Sequence, residues 1–216
     1  MSHRQVHLHA EGHGPGDMRW DELAKLAEPA STRRAPKRTV LPDRRLSFVP
    51  EVWRKLVLFT TQCPVEISGL GMVEPNGEDF RVTALHLVTQ DVTDIQTRLD
   101  QEEVSLLVSR LVDEGQDPST LKLWWHSHAR EEVFWSGEDE ETITHFQNEW
   151  MLSLETNHKM RTLARLDHYD PRSTTWVWVD RPAEPVVPTD EEIRSVREQI
   201  AVLIRRGPFA APRGRP

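Results

Sequence analysis

The sequence predicts a mixed α/β domain, one central sheet with helices packed on it. Segments with apolar residues at helical spacing alternate along the chain with short runs rich in β-branched and aromatic residues. Several helical segments carry their own start and stop signals, a capping residue in front and a glycine or proline behind. Short turns separate the strand-like runs. Read in order, the chain gives helix, two strands, helix, strand, helix, three strands, helix, which is the layer pattern of helices on a sheet.

Residues 1–45 differ from the rest. They hold one short helix candidate, at 18–28, followed by a linker rich in proline and arginine, and they read as an N-terminal arm. A globular segment, 46–182, follows. Val52, Leu56 and Phe59 predict a helix that starts at Pro50 and stops at Pro64. "VEISGLGMVE" and "FRVTALHLVT" read as strands joined by the turn "PNGED". "DQEEVSLLVSRLVDEG" reads as a helix capped by Asp100, with Val104, Leu107, Val108 and Leu111 in one stripe and Gly115 at its end. "TLKLWWHSH" reads as a strand. "EDEETITHFQNEW" reads as a helix with Ile143, Phe146 and Trp150 on one side. "MLSLETN", "RTLARLDHYD" and "TTWVWVD" read as three more strands. Trp124, Trp125, Trp176 and Trp178 are expected in the core and in strand pairs. Beyond the break at "RPAEPVVP", residues 183–204 hold a C-terminal helix with a Thr189/Glu192 capping box, and 205–216 read as a flexible tail.

Composition sets limits on function. The 216 residues carry a net charge of -8, which argues against a general nucleic-acid binder. No run approaches the roughly 18 apolar residues of a membrane span, and no signal-peptide pattern opens the sequence. The single cysteine, Cys63, excludes an internal disulfide and a cysteine-based zinc finger. These features lead to the expectation of a cytoplasmic protein with neither a membrane nor a nucleic-acid partner.

The chemistry concentrates in "HSHAREEVFWSGED". Residues i and i+2 of a strand share a face, so His126 and His128 project together, as a divalent metal site requires. Asp139, in the first turn of the following helix, is the natural third ligand. Imidazole and carboxylate donors suit zinc, and three protein ligands leave a place for water. A carboxylate must then take the proton from that water. Glu66, in an apolar strand, is the leading choice, with Glu74, Glu131 and Glu132 as rivals in turns or loops. Ser136 is placed to donate to the oxyanion of a tetrahedral intermediate. Trp135 is expected to line a substrate groove.

This arrangement resembles a known pattern. A glutamate in a strand, then His-x-His, seven residues, Ser, two residues and Asp, is the JAMM motif of the MPN+ zinc metalloproteases, and every fixed position is present here. The resemblance implies an MPN (JAB-like) α/β domain with a mixed central sheet and packed helices. It implies one zinc per chain held by His126, His128 and Asp139, with Glu66 as general base and Ser136 as oxyanion helper. It also implies an isopeptidase or peptidase acting after the C-terminal tail of a ubiquitin-like protein. Partners would then include that protein or its conjugate, with activating and conjugating enzymes of the same pathway, some of them tied to phage defence. Two other readings go with it: a hydrolase of an amino-acid adduct of a sulfur-carrier protein, and a non-catalytic MPN scaffold. The complete ligand set disfavours the scaffold.

Overall fold

The structure is a computed structural model that describes residues 44–93, 97–146, 148–183 and 187–207. The helix expected at 18–28 and most of the arm lie outside the described residues. In chain order the elements are β1 (Arg45–Phe48), α1 (Pro50–Gln62), β2 (Ile67–Asn76), β3 (Asp79–Leu87), β4 (Gln90–Val92), β5 (Thr97–Leu99), α2 (Gln101–Asp113), a 3-10 turn (Pro118–Thr120), β6 (Leu121–Ser127), α3 (Gly137–His145), β7 (Trp150–Thr156), β8 (Thr162–Tyr169), β9 (Arg172–Asp180), α4 (Asp190–Leu203) and β10 (Ile204–Arg206).

The strands overturn the expected fold class. Seven of them close into a mixed barrel in the order β1-β3-β2-β6-β7-β8-β9, and β10-β4-β5 form a small second sheet. This is not the MPN-type α/β domain with a mixed central sheet and packed helices. Closure depends on β1, which runs parallel to β3 on one side and to β9 on the other. β1 has four residues and sits where the sequence reads as the end of a linker, so nothing in its local pattern announces that it joins the two sides of the sheet. A closed barrel has no free edge among its members.

One core holds the barrel and two helices together. Trp53, Leu56 and Phe59 of α1 are fully buried, and the Phe59 ring stacks on Trp125 with centroids 5.6 Å apart. Ile193 and Val196 of α4 join the same cluster. Arg54 to Glu192 and Arg197 to Gln62 are polar ties between α1 and α4. A side chain such as Phe59 contributes on the order of 3–5 kcal/mol against truncation to Ala. Gly69 pairs with Trp125 across β2 and β6. A Cβ at Gly69 would meet the His86 carbonyl at 2.4 Å and the Trp125 indole at 2.6 Å, so only glycine allows this approach.

β6 is buried on both faces. Leu123 and Trp125 enter the large cluster, and Trp124 enters a second one with Leu70, Leu107, Leu111, Ile143 and Met151. Trp176 and Trp178 depart from expectation: both are about half exposed, on the outer face of β9. α3 also ends earlier than its apolar spacing predicts. Its periodicity continues to Trp150, but that residue opens β7, which pairs in parallel with β6, and its ring packs on Phe80 at 5.2 Å. Here tertiary pairing overrides helical spacing.

Candidate metal centre

Strand register brings the site together. β2 and β6 are antiparallel, with Ser68 opposite His126 and Ile67 opposite Ser127. Glu66, just before β2, therefore arrives beside the histidine end of β6. The start of β2 is pinned by Gln90, whose side chain accepts from the Ser68 amide and donates to the Ser68 carbonyl, as a neighbouring strand would. Trp124 and His126 share one face of β6, their rings 5.4 Å apart. His128 follows on the same side, its ring centroid 4.8 Å from that of His126.

Asp139 comes from the first turn of α3 through a capping box. Ser136 is the N-cap: its Oγ accepts from the Asp139 amide at 3.1 Å, and its own amide donates to Asp139 Oδ2 at 2.8 Å. The box fixes the carboxylate so that Oδ1 lies 2.8 Å from His126 Nδ1 and Oδ2 lies 3.6 Å from His128 Nε2. Glu66 Oε2 is 3.4 Å from His126 Nε2. All four of these residues are buried. The structure thus brings Glu66, His126, His128, Ser136 and Asp139 to one place.

Sequence reasoning missed a further member. Glu155, on β7, is the strand partner of His126 and is fully buried. Its Oε1 lies 3.4 Å from His128 Nε2. Ligand atoms of His126, His128, Asp139 and Glu155 fall within 4.8 Å of one another, a group able to hold a metal ion. The one signal in the sequence was an acid inside the apolar strand "MLSLETN", the same anomaly that singles out Glu66.

The electrostatics are those of charges gathered away from water. Burial alone would lower the His126 and His128 pKa values, but carboxylates outweigh it. Asp139 and Glu66 raise His126, and Asp139 and Glu155 push His128 up to about 10. Burial would raise Asp139, yet the two imidazoles hold it well below the usual carboxylate range. Burial pushes Glu155 up, against the pull of His128. Close as they are, both ring nitrogens of each histidine and both Glu155 oxygens lack an aligned hydrogen bond.

The segment between β6 and α3 is braced from below. Arg165 on β8, buried, donates to both oxygens of Glu140 and to Asp167, and its guanidinium lies 5.0 Å from the centroid of the Trp135 ring. Trp135 therefore packs over Arg165 rather than lining a groove. Its neighbour Phe134 lines the cleft instead, edge-on to His128 at 5.0 Å. That cleft has a volume of about 850 Å³, and Glu66, His126, His128, Ser136 and Asp139 all open onto it. One wall is β5, through Thr97 and Leu99. Of the rival bases, Glu131 lines the cleft but is exposed, and Glu132 pairs with Arg161. Glu74 sits exposed on β2.

No protein-family model matches the chain, and no curated protein matches it. Among solved structures it is similar to the solution structure of protein DSY2949 from Desulfitobacterium hafniense. That likeness has 16% identity and a TM-score of 0.49, covering 64% of this chain and 95% of that one. Among the described residues, no helix is long and apolar enough to cross a membrane.

Proposed function

We propose that the chain is a metal-dependent peptidase or isopeptidase, with zinc as its ion. Its substrate would be the bond after the C-terminal tail of a ubiquitin-like protein, in a cytoplasmic setting. The observation that carries this reading is the set of buried ring nitrogens of His126 and His128 without aligned hydrogen bonds, gathered beside the Asp139 carboxylate where an open cleft reaches them. Buried polar atoms are almost always paired, so a cluster of unpaired ones calls for a missing partner, and a divalent cation satisfies this donor set.

His126, His128 and Asp139 would hold the ion. Bound there, it supplies a Lewis acid that acidifies a water and polarises the scissile carbonyl. The remaining work falls to the chain's own side chains. Glu66 accepts a proton at its carboxylate and passes it to the leaving amine, a role supported by its burial at the cleft wall beside His126. Ser136 already accepts the Asp139 amide through its oxygen, which leaves its hydroxyl proton to stabilise the oxyanion. β5 ends the small sheet and borders the cleft, so an extended tail can add to it as a further strand.

The substrate class rests on the JAMM-like spacing of these residues. The test is cleavage of a ubiquitin-like protein joined through its tail to a lysine side chain, followed by mass spectrometry. Cleavage at that bond that is lost with a chelator and restored by zinc supports the reading. Zinc-dependent cleavage of only a small amino-acid adduct of a sulfur carrier would assign the second substrate class. Zinc bound without any hydrolysis would return the chain to a scaffold role.

A further inference from the structure

Glu155 is placed unlike a carboxylate that merely orients a metal-binding histidine. Such a partner takes the ring nitrogen opposite the metal. Here Glu155 Oε1 and Asp139 Oδ2 both face the same atom, His128 Nε2, at 3.4 and 3.6 Å. Bond lengths of about 2.0–2.1 Å to nitrogen and oxygen imply ligand–ligand distances of roughly 3.3–3.4 Å around a tetrahedral ion. Both carboxylates thus lie near ligand spacing from that nitrogen, and the ligand atoms of His126, His128, Asp139 and Glu155 all fall within 4.8 Å of one another.

Apart from its ion pair with His128, Glu155 has no aligned partner. It is fully buried, neither oxygen has a hydrogen bond, and it is not part of the cleft lining. It therefore cannot serve as a base toward substrate. A buried carboxylate opposes folding unless its charge is compensated, here by His128 when that ring is protonated, or by a bound cation when it is not. Its position also follows from the barrel, because the parallel pairing of β6 and β7 sets Glu155 beside His126.

We infer that Glu155 is a fourth protein ligand, to an ion of five or six coordination positions that still has a place for water, and that this second carboxylate widens the site from zinc toward harder divalent ions such as manganese. This rests on the metal reading proposed above. Two imidazoles with two carboxylates form a harder, more anionic donor set than two imidazoles with one, and oxygen-rich sets favour manganese relative to zinc.

The experiment measures dissociation constants for zinc and manganese by chelator competition on the full chain, for wild type and for Glu155→Leu and Glu155→Gln. Circular dichroism confirms the fold of each variant, and the glutamine variant, of matching shape, stands in if leucine disturbs packing. Binding of either ion by wild type is the condition set by the metal reading, and its absence would sink that reading itself. Given binding, removal of the Glu155 charge should weaken manganese more than zinc and raise the ratio of the two constants at least about tenfold, the scale typical of metal-site partners. A ratio that moves by less than that overturns the assignment, even if both affinities fall together.

Discussion

Arg165 donates through both terminal guanidinium nitrogens to the carboxylate of Glu140, the residue that follows Asp139 in α3. One buried cation on β8 thus anchors the helix turn that presents a metal-ligand candidate. The same guanidinium also holds Asp167, which is buried and accepts from Thr174. Arg165→Met leaves that carboxylate without its countercharge and should destabilise the fold by about 3–5 kcal/mol. Glu140 is about half exposed, so Glu140→Gln should cost less than about 1 kcal/mol. Urea denaturation of the two variants checks the ordering; equal losses would remove Asp167 as the reason for the larger effect.

The capping role of Ser136 and its proposed oxyanion role separate by substitution. Ser136→Ala removes the cap and should lower stability by about 1 kcal/mol, whereas Ser136→Gly should cost only a few tenths. Both lack the hydroxyl and should slow turnover alike. A glycine variant with normal turnover would confine Ser136 to capping.

Glu66→Gln keeps the shape of the side chain and loses the proton acceptor. It should retain metal and fold while turnover falls by at least about a hundredfold. Near-normal activity would move the base to another carboxylate on the cleft, such as the exposed Glu131.

His86 makes acid stability testable. Burial, with Lys55 and Arg110 nearby, lowers its pKa from 6.5 to about 4. Above 6.5 neither the folded nor the unfolded chain protonates it. Between 6.5 and about 4 the unfolded chain takes the proton first, so stability is lost as pH falls through that window. His86→Leu should flatten this part of the profile. Unchanged steepness in urea titrations at pH 6.5 and 4 would assign the acid sensitivity to other groups.

The local signals in the sequence read true where the chemistry is local. Pro50 opens α1, Asp100 caps α2, and the Thr189 capping box opens α4. The five residues of the motif meet because their spacing needs only one strand, one loop and one helix turn, plus β2 alongside. What the sequence hides is long-range pairing. β1, β4, β5 and β10 are each three or four residues long, too short for a period-2 pattern to show. Yet β1 closes the barrel that replaces the expected packed-helix domain, and β5 walls the cleft. Glu155 and Arg165 reach the site through the register of β7 on β6 and of β8 on β7, which no local pattern encodes.

Zinc content after dialysis is the decisive measurement of whether His126, His128 and Asp139 bind a catalytic metal ion. Wild type should retain about one zinc per chain, the stoichiometry of a single catalytic site. His126→Ala, His128→Ala and Asp139→Ala should each lose most of it while keeping the wild-type circular dichroism spectrum. A wild-type protein that retains no zinc, or an Asp139→Ala variant that retains it in full, would contradict such binding.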